Sequence, residues 1–341
     1  MNELKLAIKD LIEKNNLDYT LEYQELVNSA NNMSNLAEYI NYHFDILNYQ
    51  LLEEIILRIY RFYEASEHVA SILLENFNGI SDILKQLILD MSSSKELSRS
   101  IASILTYKFY NIPKNFRDQI LERFVVTIDS VEFIVHILKE SYSKIPCEIA
   151  KRLLIESCKF DYAIFYKIKL IQFRFEELSK EEINLLLIHL SKHQLVSKKL
   201  ISTVKKYSKN IEINTLFELL NKLLEFEESK KLSVMLVRDF ICEFNKDQKE
   251  KLFQKLIELN QYSKITSFLL SKQYLQVDNK FANSMLQKLS LENDALNGIT
   301  ACLLKFEVDK ELAKYLFNRL TEANYSQDSL TLIRKKYNFV Y

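Results

Sequence analysis

Leu252-Phe253-Gln254-Lys255-Leu256 and Leu316-Phe317-Asn318-Arg319-Leu320 are nearly the same five residues met twice in one chain. They are two teeth of a longer comb. Steps of 33 from Leu87 land on Ile120, Leu153, Leu186, Leu219, Leu252 and Met285, and a last step of 31 lands on Leu316. The next position reads Ile88, Leu121, Leu154, Leu187, Leu220, Phe253, Leu286 and Phe317. Three residues further on stand Met91, Phe124, Ser157, Leu190, Leu223, Leu256, Leu289 and Leu320, where Ser157 alone is polar. Apolar residues at helical spacing, repeated at a fixed period, mark a repeat architecture in which each unit buries its apolar face against its neighbours.

Helix starts recur with the same period. Seven residues before the anchors stand Pro113, Pro146, Ser179, Glu212, Asn245, Asp278 and Asp309, so both prolines of the protein fall in one column. A first helical turn tolerates a missing N–H, and Ser, Asn and Asp cap its orphan amides. Ser179 with Glu182, and Asn245 with Gln248, have the spacing of a capping box. Each unit therefore reads as a helical hairpin, with helix A around the anchor leucine and helix B about 15 residues later, as in 183–192 followed by 197–209. The expected fold is all-α: an α-solenoid of about eight to ten stacked hairpins with a period near 33 residues. Residues 80–341 form the regular array, and residues 1–79 an acidic N-terminal helical cap with irregular repeats.

Composition narrows the function classes. Only 2 Gly and 2 Pro in 341 residues leave little material for phosphate-cradling glycine loops or dinucleotide fingerprints. No stretch approaches the roughly 18 consecutive apolar residues of a spanning helix, so no membrane is expected. The start, Met1-Asn2-Glu3-Leu4-Lys5, runs into an amphipathic helical pattern without the apolar core of a secretion signal, and a cytoplasmic location is expected. Cys147, Cys158, Cys242 and Cys302 form no CxxC pair and are read as reduced, mostly buried thiols.

The comb and its capping column resemble the broad HEAT-like and tetratricopeptide-like helical-repeat superclass over most of the chain, in architecture alone. The Trp-Leu-Gly-Tyr-Ala-Pro pattern of a tetratricopeptide unit and the Thr-Pro-Leu-His turn of an ankyrin unit are absent. What the resemblance implies is a scaffold, a transport adaptor or a nucleic-acid binder.

Residues that carry chemistry are sparse. His189 and His193 are i,i+4, the spacing for a shared metal, but Leu190-Ser191-Lys192 between them holds no Glu, and the pair reads as a polar helix edge. Arg61 and His68 resemble the Arg-x(4–6)-His element of HEPN ribonucleases, with Phe62 departing from the polar residue usual there. Adjacent carboxylates such as Glu53-Glu54 and Glu181-Glu182 point different ways on a helix and make no acid/base pair. Tyr19, Tyr23, Tyr39, Tyr42, Tyr49, Tyr60 and Tyr63 could furnish an interaction surface, but at helical spacing they are read first as core aromatics. No catalytic residue, cofactor or metal is expected.

Charge is balanced in sum, 46 Lys+Arg against 46 Asp+Glu, and lopsided in distribution. Residues 1–100 carry 8 cations against 16 anions, a net charge of −8, which leaves +8 on the rest. Lys198, Lys231 and Lys264 keep the repeat step, as do Lys205 and Arg238; Lys139 joins the second column two steps earlier. A seven-residue step turns a helix by about 700°, so both columns share one face of helix B. Lys139, Lys198, Lys205, Lys231, Arg238 and Lys264 thus form the candidate binding stripe. The leading expectation is a non-enzymatic scaffold that binds a protein partner along the repeat surface. The alternative is a nucleic-acid-binding solenoid that uses the stripe, and the third is a HEPN-like ribonuclease. The acidic N-terminal region and the stripe also offer a route to self-association.

Overall fold

The computed structural model describes residues 2–339, and among them are twenty-one α-helices and no strand. The first five are α1 (Asn2–Lys14), α2 (Leu21–Ser29), α3 (Met33–His43), α4 (Tyr49–Ile59) and α5 (Tyr63–Glu75). From there the helices A are α6 (Asp82–Ser93), α8 (Lys114–Arg123), α10 (Cys147–Ser157), α12 (Lys180–Leu190), α14 (Ile213–Leu223), α16 (Lys246–Ile257), α18 (Asn279–Leu289) and α20 (Lys310–Glu322). The helices B are α7 (Ser98–Lys108), α9 (Val131–Ser141), α11 (Ile164–Arg174), α13 (Ser197–Tyr207), α15 (Lys230–Phe240), α17 (Ser263–Gln273), α19 (Leu296–Lys305) and α21 (Gln327–Tyr337). From α7 to α19 every helix B starts 33 residues after the one before it. The step reaches back further than the comb, since Tyr49 of α4 and Asp82 of α6 are also 33 apart.

The capping column does what its chemistry dictates. Pro113, Pro146, Glu212, Asn245, Asp278 and Asp309 are all N-caps. The Asn245 side chain accepts from the Gln248 amide at 2.9 Å while Gln248 accepts from the Asn245 amide at 3.1 Å, a complete capping box. Ser179 and Glu182 exchange the equivalent pair of bonds. At each proline the missing N–H is one that no helical carbonyl would have met.

All three apolar columns are buried, from Leu87, Ile88 and Met91 to Leu316, Phe317 and Leu320. Each such side chain contributes about 1.5–3 kcal/mol by leaving water. Ser157, the one polar member, is fully buried and donates to the Leu154 carbonyl at 2.7 Å, so its hydroxyl is satisfied within its own helix.

Packing groups the chain into two compact units, Met1–Leu186 and Leu187–Tyr341, and within each unit helices B stack side by side, as α7 does on α9 and α17 on α19. Helix ends in such a stack leave carbonyls without intrahelical partners, at the negative end of the helix dipole. Cations from the next repeat meet them. Arg152 of α10 donates to the Leu121, Glu122 and Phe124 carbonyls that end α8. Lys255 of α16 donates to Asn221 O, Arg319 of α20 to Ser290 O, and Arg174 of α11 to Lys139 O and Glu140 O. Lys255 and Arg319 are the fourth residues of the two matching pentapeptides, so the sequence likeness extends to a shared capping role.

Several local expectations are corrected. None of the seven N-terminal tyrosines is buried: Tyr19, Tyr42 and Tyr63 are exposed and the others half-buried. Two of the phenols tie helix starts instead, Tyr39 donating to Glu22 O in the first turn of α2 at 3.0 Å and Tyr23 accepting from the amide of Asn48, the N-cap of α4, at 3.2 Å. Of the four cysteines only Cys302 is buried; Cys158 is half-buried, and Cys147 and Cys242 are exposed. Cys147 opens a helix after Pro146 and Cys242 sits in a 3-10 turn, and both places face solvent. His189 is buried rather than a polar edge, its ring edge-on to His193 with centroids 5.3 Å apart.

Candidate functional site

The stripe residues divide between the units. Lys139 lies on α9 in the first unit with its side chain only 16% exposed and paired with Glu140 at 2.5 Å. The Lys139 ammonium holds the Glu140 carboxyl below the usual carboxylate range. Burial, with Lys139 nearby, pushes His136 down as well, so its imidazole is more readily neutral than usual.

Lys198, Lys205, Lys231, Arg238 and Lys264 all lie in the second unit, on α13, α15 and α17, and all are exposed. Their helices turn Leu200, Val204, Val234, Val237 and Leu270 inward to the core, which leaves the cationic face to solvent. Lys198 reaches Glu228 at 3.7 Å and Arg238 reaches Asp239 at 3.0 Å. Both pairs are solvent-exposed and weak. Among the described residues, Lys205, Lys231 and Lys264 have no carboxylate within ion-pair distance.

Two members of the stripe meet in one place. Arg238 and Lys264 line a groove of about 330 Å³ with Ile265, Phe268, Lys272, Ala301 and Lys305, across α15, α17 and α19. Its depth depends on Gly298. A Cβ there would stand 2.4 Å from the backbone carbon of Ser267, so glycine is what lets α19 lie directly on α17. The Lys272 ammonium sits 4.4 Å from the centroid of the Phe268 ring, which is 48% exposed. Lys272 and Lys305 escaped the column reading, although they stand 33 residues apart and 66 beyond Lys206 lies Lys272. The signal was there, broken by Asp239.

Arg61 and His68 are not brought together in a shared cavity. The Arg61 side chain donates to the Tyr60 hydroxyl at 2.7 Å. His68, in the middle of α5 and not at a helix end, lines a separate cavity of about 390 Å³ with Tyr63, Glu67, Arg99 and Ser100. There Arg99 pairs with Glu67 at 3.5 Å, and Ser66 and Ser100 share a hydrogen bond of 2.8 Å. The adjacent carboxylates are structural: Glu181 pairs with Lys151 at 2.9 Å, while Glu182 caps α12 and accepts from the buried Tyr142 hydroxyl at 2.6 Å. Burial and that carboxylate push the Tyr142 phenol well above its ordinary value.

Comparison with known protein families, with curated proteins and with solved structures finds no match for this chain. No helix among the described residues is long and apolar enough to cross a membrane.

Proposed function

We propose that the protein is a non-enzymatic scaffold of HEAT-like or tetratricopeptide-like character that binds a protein partner along its helices B. The observation that carries the reading is the solvent face of α13, α15 and α17. Cations share that face with two bulky apolar side chains, Leu232 on α15 and Phe268 on α17, each nearly half exposed. Exposed aromatic and aliphatic groups rimmed by charge are the composition of an interface. Among the residues with chemical potential, Glu181, Glu182, Arg99 and Arg61 are engaged in caps, pairs and ring contacts.

A second reading, nucleic-acid binding, draws on the same cations. Phosphate contacts by Lys198, Lys205, Lys231, Arg238 and Lys264 would make affinity tolerant of sequence and steeply dependent on salt, with each contact adding about 0.7–0.9 to the log–log slope. Affinity capture from native lysate, with and without nuclease, separates the two. Retention of protein partners after nuclease treatment, and their loss with Lys205→Glu/Arg238→Glu, is the expected result. Release of all partners by nuclease would move the assignment to nucleic acid. The double substitution should leave the melting temperature nearly unchanged, because exposed charges contribute little to stability.

A further inference from the structure

We propose that the groove across α15, α17 and α19 is the docking site for an acidic peptide segment of another protein, one that inserts a bulky apolar side chain between flanking carboxylates. The inference rests on the scaffold reading and names the partner's chemistry.

Charge gives the first half of the match. Arg238, Lys264, Lys272 and Lys305 line the groove, and no carboxylate does. Lys264 and Lys305 have no ion-pair partner among the described residues, and Lys272 is engaged only with the Phe268 ring. Lys264, Lys272 and Lys305 gather there without a paired carboxylate and repel one another, and a carboxylate-bearing ligand relieves that repulsion on binding.

Shape and polarity give the second half. The floor is Ile265, Phe268 and Ala301, and the lysine stems extend it, since their methylenes cover apolar surface while the ammonium groups stay in water. The volume of about 330 Å³ suits one or two side chains and not a long chain. An apolar anchor set among acidic residues satisfies floor and rim together, in the manner of a peptide seated in a helical groove.

The same geometry disfavours a nucleic-acid strand at this spot. A base stacking on Phe268 competes with the Lys272 ammonium, which already sits 4.4 Å from the ring centroid. A phosphodiester backbone gains nothing from an aliphatic floor.

The test uses the full chain and an array of immobilised peptides of about twelve residues, each with several Glu or Asp around one Phe, Leu, Ile or Trp. Peptides with both features should bind. Replacing the anchor by Ala, or the carboxylates by their amides, should each weaken binding about tenfold or more. Lys264→Glu/Lys305→Glu should abolish binding, and Ala301→Trp, which fills the groove and keeps its charge, should do the same, with melting temperature as the folding control. Absence of any acidic, anchored binder overturns the proposal. So does binding that survives both variants, displacement of the peptides by a single-stranded RNA oligomer at equal charge, or salt-sensitive self-association lost with the same substitutions. If nuclease-resistant partners are captured equally by wild type and Lys264→Glu/Lys305→Glu, the groove assignment fails while the scaffold reading stands. If nuclease removes every partner, the scaffold reading itself fails.

Discussion

Lys167→Met is a direct probe of how the repeats are sealed together. Lys167 is on α11 and fully buried, and its Nζ donates to Ser157 O at 2.9 Å and Phe160 O at 2.6 Å, carbonyls at and just beyond the end of α10. Burial pulls its pKa down from 10.5 to about 8, with Cys158 and Asp161 acting in the opposite direction. Below about pH 8 both the folded and the unfolded chain hold the proton, and the folded state bears the full cost of a buried ammonium. Between pH 8 and 10.5 the folded chain has released a proton that the unfolded chain retains, so stability rises with pH across that window. The fall from 10.5 to about 8 corresponds to about 3 kcal/mol. Methionine keeps the unbranched stem and removes the charge. At neutral pH the lost hydrogen bonds and the relieved desolvation oppose each other, so the informative quantity is the wild-type minus variant difference as a function of pH. Urea unfolding followed by circular dichroism should show wild type gaining on Lys167→Met by up to about 3 kcal/mol as pH rises from neutral toward 10.5. The lysine 13Cε resonance of Lys167 should titrate near pH 8. A flat difference across that range, together with a titration midpoint at the ordinary lysine value, would refute the reasoning.

Two further outcomes follow from the packing. Gly298→Ala places a Cβ 2.4 Å from the Ser267 backbone. The overpacking cost of about 1–3 kcal/mol outweighs the roughly 1 kcal/mol that alanine gains over glycine in a helix, and thermal denaturation should show a lower melting temperature. An unchanged or raised value would mean that α17 and α19 do not approach so closely. A thiol reagent under native conditions should modify Cys147 and Cys242 quickly, since both are exposed. Cys302, buried and with its thiol pushed up to about 12, should react only after unfolding; peptide mapping that finds it modified in the folded protein contradicts its placement.

The order of helices was legible because it depends on short-range physics. Apolar spacing sets which face of each helix is buried, and a cap set seven residues before each anchor sets where the helix begins. Both repeat at 33, so one tooth predicts the next, and Asn245 with Gln248 or Ser179 with Glu182 can be read as caps with no partner helix in view. The solvent face of α13, α15 and α17 was legible for the same reason, because a seven-residue step returns to one side of a helix. Lys139 lay in the same column and yet is mostly covered and paired with Glu140, and its backbone carbonyl receives Arg174 from the next helix B.

By itself, then, the amino-acid order determined the class of fold, the period, the helix starts and the inward-facing columns, all of which follow from residues within one or two turns of each other. Only the tertiary structure decided which cations seal helix ends and which stand free. Lys255 and Lys264 are indistinguishable as letters, but one ends on the Asn221 carbonyl while the other opens onto a groove. It likewise decided that Gly298 would bring α19 against α17, and so gather Arg238, Lys264, Lys272 and Lys305 around one apolar floor. Those outcomes depend on contacts between residues about thirty positions apart, where separation in sequence carries no record of distance in space.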